Sequence, residues 1–391
     1  MLDLAKNSLK RLIAYCQRQN WMGYDPFDGL NSRFFQALPA FKKQKLFRLL
    51  FLQFNKKSVI NFRPVLNVSQ GRNPKGIGLF LSGAANLYKQ SGGKDYLSLI
   101  EKFVQWLKED SSPDYHGYCW GYNFDWQSRA FFLPRGTPTV VNTSFIGRAF
   151  LNAYEALGYA KYLEIARSAC DFILRDLNRQ ENEETLCFSY SPCDQYYVNN
   201  ATALASSLLA LTYEKTKEEE LAQMARKSVQ YVVNNQNSEG AWKYGESAPA
   251  QKVGIDNFHT GFILESLKIY ADCLDDSSHA EQIKRGLEFY QEKFFLKDGT
   301  PRYFPHKNFP ADIHSAAQAI ITFVQLKKYG ANGELCQKVL EWMIKNMQDK
   351  DGCFYYQKSR YFTNKIPYIR WCQAWAFLAL TTYLLSHEQE S

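Results

Sequence analysis

The stretch NATALASSLLALTYE, residues 200–214, decides the fold. Its apolar and small residues run round every side of a 3.6-residue helix, so the helix is stable only if other elements enclose it. Five further segments share that character: NPKGIGLFLSGAANLY (73–88), NTSFIGRAFLNAYEAL (142–157), NFHTGFILESLKIYA (257–271), IHSAAQAIITFVQL (313–326) and RWCQAWAFLALTTYLL (370–385). Six amphipathic segments with charged faces alternate with them, at 2–16, 94–110, 161–177, 219–235, 277–295 and 333–347. After a longer first interval the spacing is nearly constant, which is the signature of a repeat architecture. With no polar capping repeat at either end, a closed double ring fits better than an open solenoid. The pattern predicts an all-α (α/α)6 toroid, a single domain over residues 1–391 whose first repeat is enlarged by an insertion at about 21–72.

The connections from each amphipathic helix to the next enclosed one are long. Three of them, NSEGAWKYG (237–245), KDGTPRYF (297–304) and DKDGCFYY (349–356), read as tight turns into short extended segments, hence β-hairpin-like rim loops. The reverse connections are short, so the long loops and the amino ends of the enclosed helices share one mouth.

Composition narrows the function. Hydrophobic residues at 46% and charged residues at 22% describe an ordinary globular chain, but aromatics reach 16%, more than a core needs, and sugar faces are a natural partner for the surplus rings. The net charge of +8 is spread without a basic block, so nucleic acid is not expected as a partner. No segment reads as a transmembrane helix or a signal peptide, and the expectation is a cytoplasmic protein. Nine scattered cysteines without a C-x-x-C pair point to reduced core thiols. No phosphate-binding Gly-rich loop, G-x-S-x-G elbow or clustered ligand spacing occurs, so neither a cofactor nor a metal is expected.

Two enclosed helices begin with ionisable residues: Asp256 and His259 in IDNFHTGF, Asp312 and His314 in ADIHSAAQ. An Asp at a helix start is accounted for by capping, as are Asn73, Asn142, Asn200 and Asn257, whereas a cationic imidazole opposes the helix dipole. His259 and His314 are therefore candidates for a general base or a ligand contact at the mouth. The loop 114–145 adds His116, Trp120, Tyr122, Asp125, Trp126 and Arg129 ahead of Asn142, a mixture of rings, acceptors and cations suited to a carbohydrate subsite. Trp242, Tyr368, Arg370 and Trp371 belong to the same rim. Asp125, Asp256 and Asp312 are acid/base candidates for glycoside hydrolysis. Tyr or His with Arg370 and Arg129 as anion contacts would instead suit C5 proton abstraction from a uronic acid, as in epimerases and lyases.

These motifs, with MGYDPFDG (22–29), NPKGIGLF (73–80), GYCWGYNFDWQSRAF (117–131), DNFHTGF (256–262), DIHSAAQA (312–319) and IRWCQAW (369–375), resemble the VpsJ-like polysaccharide biosynthesis proteins over nearly the whole chain. The resemblance implies the six-hairpin toroid of glycosidases, sugar 2-epimerases and polysaccharide lyases. It also implies a role in surface polysaccharide synthesis on a glycan or lipid-linked sugar, with contact to glycosyltransferases. The Asn-His pair that toroidal lyases carry at one helix start is absent, since Thr143 follows Asn142. Two functions stay open: an enzyme that hydrolyses or epimerises the glycan, and a non-catalytic glycan-binding scaffold.

Overall fold

The computed structural model describes residues 1–128, 131–245 and 254–388. The six enclosed segments form inner helices Pro74–Ser91, Val140–Leu157, Asn199–Thr216, Asn257–Cys273, Ile313–Gln325 and Trp375–Glu388. Each packs on its neighbours in that order and the last packs on the first, which closes the ring. The outer layer is Lys94–Glu109, Ala160–Arg175, Glu219–Asn234, Ala280–Lys293, Gly333–Met347 and, sealing the seam, Leu2–Arg18. At the seam Arg18 Nη2 donates to Asp351 O (2.9 Å) and Gln348 Nε2 to Ser8 O (2.9 Å). The (α/α)6 toroid read from the sequence is the observed architecture.

Small residues let the inner helices approach closely. A side chain at Gly147 would meet Leu208 at 2.7 Å, and one at Gly261 would meet Gln318 at 2.7 Å. The axis is closed by three rings, one from every second inner helix: Phe145, Phe262 and Trp375, with centroids 5.1–5.4 Å apart. Edge-to-face and offset packing of this kind adds to the burial free energy of the rings.

The rim loops contain two- and three-residue strands: Trp126–Gln127 with Phe132–Leu133, Arg179–Glu181 with Leu186–Phe188, and Ala311–Asp312 with Gln357–Lys358 and Thr363–Asn364. The three expected turns are present as single bridges, Gln236 with Trp242, Phe295 with Pro301 and Gln348 with Phe354. Each turns on a glycine of positive φ (Gly240, Gly299, Gly352), and four residues on stands a tyrosine (Tyr244, Tyr303, Tyr356). The carbonyls of these tyrosines accept the first N–H of inner helices: Asn199 N to Tyr244 O, Asn257 N to Tyr303 O, Ile313 N to Tyr356 O. Val140 N to Tyr190 O and Ile369 N to Tyr24 O repeat the bond, so orphan donors at helix starts are met by the neighbouring rim loop.

Capping departs from the sequence expectation. Asn73 does cap, accepting from Gly76 N at 3.3 Å, but Thr139 caps the second inner helix and Asp256 the fourth, which places Asn142, Asn200 and Asn257 inside their helices. The last inner helix is preceded by a π-helical turn, Ile369–Ala374, that the helix-period pattern did not announce. The insertion folds onto the rim as short helices Arg33–Gln36 and Pro39–Lys43 and a longer one, Lys45–Lys57.

Candidate active site

All six inner helices contribute from their amino ends to one chamber of about 140 Å³: Lys75, Val141, Asn200, His259, His314 and, from the π-helical turn, Arg370. Rim residues complete the wall, chiefly Phe27, Tyr122, Trp126, Tyr190, Tyr244, Tyr303 and Trp371, with Lys56 from the insertion. The chamber opens past Lys56, Trp126, Tyr244, His259 and Tyr303 into a vestibule of about 610 Å³. The inner volume suits one sugar ring and the outer a further part of a glycan. Among the described residues no carboxylate lines either space.

His259 is held by its own helix cap. Asp256 Oδ1 accepts His259 N at 3.0 Å, and Oδ2 lies 2.6 Å from Nδ1. A carboxylate acceptor fixes the proton on Nδ1 and leaves the Nε2 lone pair free. The ring is 22% exposed and borders both chamber and vestibule.

His314 differs. Asp312 caps the helix through His314 N (2.8 Å) but does not touch the ring, whose two nitrogens have no partner among the described residues. The imidazole lies between Phe258 (4.3 Å) and Trp375 (4.2 Å), with Trp371 edge-on. Burial drives its pKa well below the usual value, helped by Lys75 and Arg370, so it is neutral. Asp312 is spent on Gln357 Nε2 (2.7 Å) and Trp371 Nε1 (3.0 Å), and burial raises it to about 6.

Lys75 is buried with no ion pair among the described residues, its Nζ 4.2 Å from the centre of the Phe145 ring. Burial, and after it Arg370, hold its amine well below the normal lysine range. Lys56, over the Phe27 ring at 4.2 Å, is lowered by burial to about 8. Arg370, a cation at a helix start and so opposed by the helix dipole, is compensated by Asp25, which accepts from its Nε (2.6 Å) and Nη2 (2.8 Å). Asp28 in turn holds Arg63 (2.5 Å), which donates to Tyr368 Oη (3.0 Å). Burial raises the phenols of Tyr190, Tyr244 and Tyr303 well above their usual value, so they remain donors.

Of the residues singled out in the sequence, the structure brings His259, His314, Tyr122, Trp126, Arg370 and Trp371 together in the chamber wall. Asp256 and Asp312 stand one residue behind it. Asp125 is not in the wall: its carboxylate accepts Arg135 N (2.8 Å) and Gln36 Nε2 (3.3 Å), which pins the loop. His116 is exposed and paired with Asp176 at 2.7 Å. Trp120 and Trp242 are buried and tie their loops to outer helices through Nε1, to Leu107 O (2.7 Å) and Val232 O (2.9 Å). Tyr368 is buried on Arg63, and Asn142 is buried outside the chamber lining with its side-chain amide unpartnered among the described residues. Arg129 lies outside the described residues. The sequence reading missed Asp25, Lys56, Lys75, Tyr190, Tyr244 and Tyr303. Among the described residues no group of three or more His, Cys, Asp or Glu side chains is placed to hold a metal, and no helix is long and apolar enough to cross a membrane.

No family model and no curated protein matches the chain. Solved structures do. A sugar epimerase from a ruminal bacterium is 13% identical with a TM-score of 0.63, over 82% of this chain and 90% of that one. A cellobiose 2-epimerase from Bacillus thermoamylovorans is 12% identical with a TM-score of 0.62, over 81% and 90%. A GH76 α-mannanase from Bacteroides thetaiotaomicron is 13% identical with a TM-score of 0.60, over 83% and 89%. At these identities the likeness establishes a shared toroid fold.

Proposed function

We propose that the protein is a carbohydrate-active enzyme that takes one sugar residue of a glycan into the chamber and moves a proton at a carbon next to a carbonyl or carboxylate, an epimerase or isomerase reaction. The observation that carries this reading is the His259–Asp256 pair facing a chamber that, among the described residues, no carboxylate lines. Most glycoside hydrolases use two carboxyl groups at the scissile bond. Proton abstraction needs one base of near-neutral pKa and donors for the developing enolate oxygen. His259 Nε2 would take the proton, with Asp256 steadying the imidazolium, and a proton from the imidazolium or from water would then return to the enolate, on the opposite face of the same carbon in epimerisation or on the neighbouring carbon in isomerisation. The phenols of Tyr190, Tyr244 and Tyr303 would donate hydrogen bonds, and Arg370 would oppose the negative charge. Epimerases and an isomerase among the solved toroids support the same chemistry.

The VpsJ-like motifs support a place in surface polysaccharide synthesis, with a lipid-linked or uronate-containing glycan as substrate, in the cytoplasm and in contact with glycosyltransferases. The test is incubation in D2O with reducing and uronate-terminated oligosaccharides, followed by NMR. Deuterium entering at C2 or C5 is the expected outcome and tells the two substrate types apart. Release of monosaccharide without exchange would favour hydrolysis. Saturable binding with neither would favour the glycan-binding scaffold.

A further inference from the structure

Nine of the fifteen exposed large hydrophobic side chains among the described residues fall between Phe34 and Val65, in the insertion on the rim. The Lys45–Lys57 helix needs only one face to attach itself: Leu52 and Asn55 are buried, Phe51 stacks on Phe35 at 4.6 Å, and Arg48 Nε donates to Gln127 Oε1 at 2.7 Å. Yet Leu46, Leu50 and Phe54, spaced four apart and therefore in line, stand 63%, 57% and 50% exposed on another face. Phe34 and Phe41 from the two short helices, Leu38 between them, and Val59, Ile60 and Val65 from the following loop are exposed as well. So many exposed apolar side chains gathered in one segment mark an interaction site.

Charge identifies the partner. Between Asp28 and Asp95 the chain contains no acidic residue, while Arg33, Lys42, Lys43, Lys45 and Lys57 stand exposed among the apolar side chains. Amphipathic helices that mix Phe and Leu with Lys and Arg, and lack acid, lie in the interface of anionic bilayers, where the apolar side chains enter the acyl boundary and the cations meet phosphate. We propose that the 33–65 insertion docks the protein on an anionic phospholipid surface. Leu49, Leu52, Lys56, Lys57 and Val59 of this insertion also line the vestibule, as does the exposed Phe362. Docking therefore sets the chamber's entrance at the membrane plane, where a sugar carried on a lipid would be presented. That substrate rests on the proposed carbohydrate chemistry, whereas the docking does not.

The experiment is flotation of the full chain with vesicles of phosphatidylcholine alone and of phosphatidylcholine mixed with phosphatidylglycerol. The protein is expected to float with the mixed vesicles, less so at high salt. The double variant Leu50→Glu/Phe54→Glu, whose side chains are exposed and whose fold is checked by circular dichroism, is expected to lose at least about tenfold in bound fraction. His259→Gln should float as the wild type does, which separates docking from chemistry. Failure to bind the mixed vesicles, binding that the double variant leaves unchanged, or a dimer in solution that the double variant dissolves would each overturn the proposal.

Discussion

His259 and Asp256 act as a pair, and the two atoms of the Asp256 carboxylate do different work: one caps the helix, the other orients the imidazole. Asp256→Asn keeps a good cap but loses the fixed tautomer, so turnover should fall by about 10²-fold or more with KM and melting temperature little changed. Steady-state kinetics beside a thermal melt would check this split. Asp312 makes a pH prediction. Its folded pKa of about 6 lies above the ordinary aspartate value of 3.8, so the folded state binds the proton more tightly and stability from this group is lost as pH rises between those values. Replacement by Asn removes the loss. The stability difference between Asp312→Asn and wild type should therefore move in the variant's favour by about 2 kcal/mol from pH 4 to pH 7, read from urea midpoints. Much of the site was legible because helix starts are visible in sequence, so His259, His314 and Arg370 were placed at the mouth. Lys75 was missed although it is a cation at the start of an apolar helix, as Arg370 is. Asp125, Trp120 and Trp242 were misread because residue types that bind sugars also anchor loops, and only the partners, Arg135 N, Leu107 O and Val232 O, tell the two apart.

The elements were read more completely than the joints between them. Helix periodicity is a property of fifteen or so residues at once, whereas the rim strands are two or three residues long, too short to show a period, and one of them, Ala311–Asp312, pairs with Gln357–Lys358 far along the chain. The Gly-x-x-x-Tyr repeat at Gly240, Gly299 and Gly352 was in view within the quoted loops, but its meaning lies in a bond to the neighbouring helix that a single repeat does not reveal. Gly299 has a φ of 86°, and a Cβ there would lie 2.5 Å from the Lys338 carbonyl carbon. Gly299→Ala should cost roughly 1–3 kcal/mol and displace Tyr303 from the chamber wall, measurable as a lower urea midpoint together with a raised KM.

Ring closure joins the first and last repeats through buried charge. Asp25, near the start of the insertion, holds Arg370 at the start of the last inner helix, and the neighbouring Asp28–Arg63–Tyr368 chain crosses the same seam. Asp25→Ala would strand a buried guanidinium and should destabilise the fold by about 3–5 kcal/mol, with the loss visible in chemical denaturation. The closed toroid was legible from six alternating segment pairs, whereas this lock was not, because its partners are separated by nearly the whole chain. The central claim is that closure gathers six helix starts into a chamber where His259 removes a proton from a bound sugar. The most direct measurement is deuterium incorporation from D2O into that sugar by wild type and by His259→Gln, with sugar affinity measured alongside. The account predicts that the variant binds as before while exchange falls by about 10²–10⁴-fold. Exchange that survives in the variant at the wild-type rate would contradict it.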